Sequence, residues 1–320
     1  MWKTVIRRVL LMIPQLIILS ILVFILAKLM PGDALSGMIN PHMNPAEIEK
    51  IRRAMGLYDP WYVQYIRWVK NIFHGNFGMS YQFKLPVLQV IGPRAMNTFW
   101  LSLLALIIMY SASIPIAIYA GKNNGGKFDK AVILGNFLIF AVPSFVMYLF
   151  FILIFGYKLK LFPTIGSVSA DVVPGTMAYV VSKFYHMLMP AICIAIMSSV
   201  GTIQYLRNEV IDAKGQDFVK TAKSKGVPKN KIYSHHIFRN SLLPIAAFFG
   251  FQITGLLGGS VIAETIFNYP GMGNFFMESI ISRDFSVVTT LIMLYGILSL
   301  IGSLLSDITM SIVDPRIRIE

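Results

Sequence analysis

The sequence predicts an all-α, polytopic membrane protein, and three observations support that prediction. Of its 320 residues, 56% are hydrophobic and only 13% are charged, whereas about 25% of a soluble domain is charged. The mean hydropathy is +0.66. Six apolar stretches reach the roughly 20 residues that a helix needs to cross a bilayer. The single cysteine, Cys193, excludes a disulfide framework and a multi-cysteine metal site.

The six predicted spans contain two formal charges, Lys28 and Asp307, each within two residues of a span end, where the side chain can reach water. The first span lacks a small-residue cleavage site, so we expect a retained helix and not a signal peptide. The spans are residues 10–29, 99–121, 131–157, 187–206, 241–262 and 286–308. They divide the chain into a first helix at 1–29, an extracellular segment at 30–98 and a five-helix core at 99–320.

The basic residues predict the orientation, because short cytoplasmic segments are enriched in Lys and Arg. With the N terminus inside, the cytoplasmic segments hold 16 of the 28 basic residues, and the short outer segments 158–186 and 263–285 hold three and one. The outer segment 30–98 holds seven, but it is too long to count strongly in this rule. The cytoplasmic segments are then 1–9, 122–130, 207–240 and 309–320. Both termini are therefore predicted to be cytoplasmic. The net charge of +13 reflects this bias and gives little support to nucleic-acid binding.

The segment 30–98 carries start and stop signals for two short amphipathic helices. Asn44 begins a capping-box-like start and Gly56 is a natural end for the first. The second runs from Asp59-Pro60 to His74-Gly75. Two interpretations stay open: a packed cap or interfacial anchor that uses its Trp and Tyr residues, or a docking surface for an extracellular partner.

The segment 207–240, called the 207–240 loop below, is polar, basic and too long for a tight turn. Phe218 and Ala222 belong to a short apolar helix face, Gly226 ends that helix, and Pro228 begins a second one. Two short amphipathic helices joined at a glycine form a surface suited to gripping another protein. The alternative is a solvated basic loop attracted to anionic lipid head groups.

The sequence contains no set of residues typical of an enzyme active site, a nucleotide-binding site or an ion-coupling site. The stretch from Gly121 to Lys127 imitates a phosphate-binding P-loop, but Phe128 stands where that motif has its magnesium-binding Ser or Thr. The adjacent His235 and His236 point to different helix faces and cannot form an i,i+4 metal pair. The middle of every predicted span lacks Asp, Glu, Lys and His, which disfavours a proton-coupled carrier. Energy for uphill transport would therefore come from another polypeptide.

Motifs from end to end resemble those of the membrane-spanning permease subunit of bacterial ABC importers for oligopeptides and dipeptides. Any one of these motifs is modest evidence, but several of them in the same order are specific to this family. In chain order they are Ala27–Asp33, Gly56–Pro60 with Gln64, Tyr65 and Trp68, Gly75–Gly78 with Ser80, Glu264–Gly273 with Arg283-Asp284, and Asp314–Arg318.

The 207–240 loop resembles the segment through which binding-protein-dependent permeases contact their ATPases. The general pattern is Glu-Ala-Ala, three residues and Gly. Here Lys220 stands at the glutamate position and Thr221 at the first alanine, which is in keeping with the peptide branch. The ATPase-coupling residues that the resemblance implies are Asp217, Phe218, Thr221, Ala222, Gly226, Arg239 and Asn240.

The resemblance implies a heteromeric importer in a bacterial cell membrane. Two permease subunits would enclose the path, two ATPase subunits would bind ATP and Mg, and an extracellular binding protein would deliver the peptide. It implies neither catalysis nor a cofactor in this chain, and no metal site. The competing function classes are an ion-coupled carrier or channel, which would transport without an ATPase, and an intramembrane enzyme.

Five small residues in the fourth and fifth predicted spans are candidates for lining the translocation path. An alternative of at least equal weight is that small residues at these positions allow helices to pack closely. The candidates are Ser198, Ser199, Gly255, Gly258 and Gly259.

Overall fold

The computed structural model describes residues 2–29, 44–54, 56–228, 231–241 and 243–313, and the regular structure in these ranges is helical. The α-helices are α1 (Trp2–Leu29), α2 (Pro45–Ala54), α3 (Trp61–Phe73), α4 (Val87–Lys122), α5 (Lys127–Ala141), α6 (Ser144–Phe151), α7 (Met177–Gly215), α8 (Asp217–Ser224), α9 (Phe238–Ser241), α10 (Leu243–Gly258), α11 (Val261–Ile266), α12 (Met272–Ile281) and α13 (Phe285–Val313). A first π-helix spans Ile152–Lys158 and a second spans Ile232–Ile237. The motif residues 30–33 and 314–318 lie outside the described ranges.

The all-α, multi-pass class is confirmed, and the described residues bear out part of the predicted span count. Four helices are long and apolar enough to cross a membrane: α1, α4, α7 and α13. The pair formed by α5 and by α6 with the first π-helix makes a fifth if it counts as one span. The fifth predicted span, 241–262, contains α10, whose 16 residues extend about 24 Å, less than a hydrocarbon core of about 30 Å.

The third predicted span, 131–157, is bent and not straight. Its two halves meet at an angle of 100°. The bend falls at Val142, which has an extended backbone, and at Pro143, which precedes α6. Proline has no N–H to continue the α5 hydrogen-bond ladder and disfavours a helical conformation in the residue before it. The pair therefore makes a corner within the bundle.

Helix α4 begins at Val87, so it starts within the predicted outer segment 30–98 and continues into the predicted span 99–121. Arg94 lies in the part of α4 that precedes the predicted span. Its guanidinium lies over the rings of Phe83 and Phe275, at 4.7 and 4.2 Å from their centroids. A cation over aromatic rings is held within a packed site, so the helix continues through it.

Both helices predicted in the segment 30–98 are present. Asn44 precedes α2 and its Oδ1 accepts a hydrogen bond from the Ala46 N–H (3.1 Å), and Gly56 has a left-handed φ of +66°. Helix α3 packs on the C-terminal part of α1 through Tyr65, whose ring lies 5.5 Å from that of Phe24. This helix is therefore anchored to the first span.

The connecting segments gather at two opposite ends of the bundle. At the end that carries α3, Ser80 Oγ donates to Asp284 Oδ2 (2.5 Å), and the Gly166 N–H donates to the Phe267 carbonyl (3.0 Å). These bonds bring 30–98, 158–186 and 263–285 together, and we call this the α3 end. At the α8 end, segment 122–130 meets the 207–240 loop. The three segments predicted to lie outside thus share one end.

A buried carboxylate organises the α3 end around the motif 264–273. Glu264 has no exposed surface, and its carboxylate accepts hydrogen bonds from Thr98 Oγ1 (2.9 Å), the Gly273 N–H (2.7 Å) and the Asn274 N–H (3.1 Å). The two N–H groups belong to the first turn of α12, where a helix lacks internal partners. Burial raises the pKa of Glu264, although these three hydrogen bonds act to lower it.

Candidate functional site

An open groove lies in the middle of the bundle, where α4, α6, α7, α10 and α11 approach one another. Its volume is about 320 Å³. Apolar side chains of α4 and α7 form much of the wall. The polar groups on it are uncharged and belong to Ser102, Tyr148, Ser198, Gln252 and Ser260. Such a surface can hydrogen-bond a polar solute without selecting for its charge.

Three of the five candidate lining residues lie on this groove, namely Ser198, Gly255 and Gly259. Ser199 and Gly258 do not line it, and Ser199 Oγ donates to the Ile196 carbonyl of its own helix (2.7 Å). The structure therefore brings one candidate of the fourth predicted span and two candidates of the fifth to the same groove.

Close helix packing does not explain Gly255 and Gly258 within this chain. A Cβ built at either position meets no atom within 4 Å. Close packing occurs instead at Gly250, where a Cβ would lie 2.7 Å from the Leu305 carbonyl carbon of α13. Gly259 has a different constraint, a left-handed φ of +66°. The glycines of α10 and Gly259 directly after it therefore stand in different environments.

Sequence reasoning missed Ser102 and Gln252 as groove residues. A signal for Gln252 was available, since it is the only amide or charged side chain in the predicted span 241–262 and a strongly polar group in an apolar span marks a functional position. Ser102 carries no such signal, because small hydroxyl groups are common in spans and can bond their own helix.

The first part of the 207–240 loop continues a membrane helix. Helix α7 runs without a break to Gly215, and α8 follows after Gln216 in an extended conformation. Gly226 has a φ of +73°. Its N–H donates to the Lys223 carbonyl (2.9 Å), and the Val227 N–H donates to the Ala222 carbonyl (3.1 Å). These two bonds form a Schellman motif, so the predicted left-handed stop at Gly226 is confirmed.

Helix α8 turns its apolar face toward the rest of the chain. Val219 and Ala222 are buried, at 1% and 6% exposure, in a cluster with Leu206 and Val210 of α7 and with Ile237 of the second π-helix. Ala222 was expected to meet an external partner. The structure shows that it anchors α8 to its own chain.

The opposite face of α8 is exposed and carries polar groups. Asp217, Lys220 and Thr221 are exposed, and Lys220 Nζ donates to Asp217 Oδ1 (2.9 Å). Phe218 is half-buried and Asn240 is exposed, while the side chain of Arg239 lies outside the described residues. A short helix fixed on one side and polar on the other is suited to contact a second protein.

The P-loop-like stretch 121–127 forms the turn between α4 and α5. The Gly125 N–H donates to the carboxylate of Asp129 (2.8 Å), and Phe128 packs edge-on to Tyr119 with 4.9 Å between ring centroids. A backbone donor that a phosphate would need is therefore bonded to an acidic side chain. Among the described residues, no group of three or more His, Cys, Asp or Glu could hold a metal ion.

A bundle of long apolar helices, an uncharged polar groove and an anchored helix with one polar face define a membrane transport component. The family model described as "Binding-protein-dependent transport system inner membrane component" matches residues 113–319, and its N-terminal companion matches residues 1–102. The chain belongs to this family. It is a non-catalytic, multi-pass component of a bacterial cell membrane, and it belongs to a system with further components that include a binding protein.

The curated relatives are similar over their full lengths. The oligopeptide transport system permease protein AppB of Bacillus subtilis is 35% identical, over 98% of both chains. A putative peptide transport system permease protein of Brucella abortus is 32% identical over all of both chains. The dipeptide transport system permease protein DppB of Lactococcus lactis is 31% identical, again over all of both chains.

Proposed function

We propose that this chain is the permease subunit of an ATP-driven importer of oligopeptides or dipeptides. The peptide is delivered by an extracellular binding protein, and the energy comes from partner ATPases through the 207–240 loop. The names of the relatives motivate the substrate class. The uncharged groove is consistent with it, because transport of peptides with varied side chains cannot depend on tight side-chain pockets.

The observation that most supports energy coupling is the two-sided character of α8. Its apolar residues Val219 and Ala222 are packed inside this chain, so a force on its exposed face is transmitted to the bundle. ATP and Mg belong to the partner subunits in this proposal. Two ATPases and a second, homologous permease subunit complete the complex.

We further propose six spans with both termini in the cytoplasm. The clustering of 30–98, 158–186 and 263–285 at the α3 end supports this topology. Six spans separate each of these segments from the 207–240 loop by one or three crossings, and an odd number of crossings places them on the other side of the membrane. In this topology the bent α5–α6 pair and the short α10 each count as one span. The exposed part of Glu264–Gly273 and α3 then face the binding protein.

Reconstitution in liposomes with the partner subunits and the binding protein tests the function. We expect uptake of labelled peptides that requires ATP and the binding protein. Thr221→Trp should abolish both uptake and co-purification of the ATPases, since a bulky ring on the exposed face of α8 obstructs docking without disturbing the packed face. Lys70→Trp, also at an exposed position but on α3 at the opposite end, is the matched control for co-purification of the ATPases, which it should leave intact. ATP-independent uptake by this chain alone would instead identify a carrier.

A further inference from the structure

A buried ion pair joins α5 to α7 near the 207–240 loop. Arg207 Nε donates to Asp129 Oδ1 (2.5 Å) and Nη2 donates to Oδ2 (2.8 Å). The two side chains are 10% and 1% exposed. The guanidinium also donates to Oδ1 of Asn208 (3.0 Å) and of Asn124 (3.2 Å). The pair is therefore bidentate and is fixed by further hydrogen bonds on both sides.

A second tie joins the same part of α7 to the last turn of α4. Lys214 Nζ donates to the carbonyl of Gly121 (2.8 Å) and to that of Lys122 (3.3 Å). A cation is stabilised at the C-terminal end of a helix, where carbonyl groups lack internal partners. At Gly121 a Cβ would lie 2.8 Å from the Val210 side chain, so the two helices are in direct contact.

The ion pair lies between α8 and the groove along one continuous helix. From Arg207 to Ser198, on the groove wall, α7 rises about 14 Å, and from Arg207 to Gly215, where α7 ends, it rises about 12 Å. Because α7 has no break over this distance, a displacement of α8 reaches the groove through the point where Arg207 is held by Asp129.

We infer that the Asp129–Arg207 pair is a positioning device that makes α5 move together with α7 when α8 is displaced. The inference rests on the proposed function. An apolar contact permits helices to slide past one another, whereas a bidentate, charge-assisted pair fixes one register. Asp129 lies in the first turn of α5, where the helix dipole also favours a carboxylate. The pair thus links the segment 122–130 to the groove wall in a single arrangement.

The test uses the complete complex in liposomes, with Cys193→Ala and a reporter cysteine at Ser198→Cys. Asp129→Asn keeps the size of the side chain but removes its charge. Arg207→Lys keeps the charge but removes the guanidinium group, which contacts both carboxylate oxygens. The control, Asp307→Asn, breaks the partly exposed Arg8–Asp307 pair (2.9 Å), which joins α1 to α13. The readouts are the peptide taken up per ATP hydrolysed and the change in reporter labelling when ATP binds.

We expect Asp129→Asn and Arg207→Lys to lower the peptide-to-ATP ratio by about tenfold and to remove the ATP-dependent change in labelling, while the ATPases still co-purify. The control variant should leave both readouts unchanged. An unaltered ratio and labelling change in the two variants would overturn the inference. Failure of both variants to assemble would also overturn it, because the pair would then be a folding element. A wild-type complex without ATP-driven uptake would refute the proposed function instead.

Discussion

At the scale of single residues, Glu264 explains why the motif 264–273 has its composition. Its carboxylate receives two N–H groups from the first turn of α12 and one hydroxyl group from α4. A Cβ at Gly273 would lie 2.7 Å from the Cα of Val261, so a larger residue would push α12 away from the carboxylate. The motif joins the segment 263–285 to α4.

Removal of this carboxylate should destabilise the α3 end. Glu264→Ala leaves buried N–H groups of Gly273 and Asn274 unpaired, and each such group costs about 1–3 kcal/mol. We expect a lower melting temperature for the purified complex, measured by the loss of tertiary structure in detergent. Glu47→Ala, at an exposed position of α2, is the control and should leave the melting temperature unchanged. Equal melting temperatures of Glu264→Ala and wild type would contradict the assignment.

A second prediction at the residue scale concerns nucleotide binding. The isolated chain should neither bind nor hydrolyse ATP, because Asp129 occupies the turn that imitates a P-loop and Phe128 replaces the magnesium-binding hydroxyl. Equilibrium binding of a fluorescent ATP analogue to the purified subunit measures this. Saturable binding that disappears in Lys127→Ala would reveal a real site in the stretch 121–127.

At the scale of elements, local signals predicted helix ends better than span lengths. Gly56 and Gly226 both adopt the left-handed φ expected from their positions, since a Schellman stop depends on a few neighbouring residues. The start of α4 at Val87 was not predicted, because hydropathy identifies only the apolar span from residue 99, and the contact of Arg94 with the rings of Phe83 and Phe275 depends on residues far apart in the chain. The start of α4 thus depends on tertiary contacts, which a local sequence pattern does not reveal.

The same distinction applies to the candidate site. The sequence identified α8 and its apolar face, but hydrophobic periodicity does not say whether that face binds a partner or its own chain. The burial of Ala222 decides this in favour of its own chain. For the groove, small residues were the available signal, and only the open space beside Gly255 separates a lining role from a packing role within the chain.

The left-handed stop at Gly226 supports a prediction about strain without steric overlap. A Cβ at this position meets no atom within 4 Å, so Gly226→Val costs only the backbone strain, roughly 1–2 kcal/mol. This should misdirect the segment after α8 and abolish uptake while the subunit still reaches the membrane. Gly226→Asn should retain activity, because Asn tolerates a positive φ.

A matched glycine at the other end separates local strain from loss of coupling. Gly75 has the same φ of +73° and equally open surroundings, but it follows α3. Gly75→Val should therefore leave ATPase co-purification intact. Normal uptake by Gly226→Val would contradict a role of this turn in coupling, and equal loss of ATPase binding by both variants would show that strain alone is responsible.

At the scale of the whole molecule, the charge pattern of the sequence and the contacts between connecting segments both support the proposed topology. The 207–240 loop and the segment 122–130, which the Arg207–Asp129 pair joins at the α8 end, hold 11 basic residues within 43 residues. The α3 end is joined by neutral and acidic groups such as Ser80 and Asp284. Two crossings of this topology differ from a straight helix of about 20 residues: the bent pair, with its angle of 100°, and the 16-residue α10.

Four single cysteines resolve these crossings when Cys193 is replaced by Ala. Each position is exposed in the structure, and Ser224 is chosen beside Gly226 to avoid strain at the left-handed glycine. An impermeant thiol reagent applied to intact cells should label Trp61→Cys, Asp171→Cys and Ser282→Cys but not Ser224→Cys, because six spans place the first three outside. Lack of labelling at Asp171→Cys would make the bent pair a re-entrant loop, and lack of labelling at Ser282→Cys would mean that α10 does not cross. Labelling at Ser224→Cys without labelling at Trp61→Cys would invert the orientation, and with it the side on which α8 meets a partner.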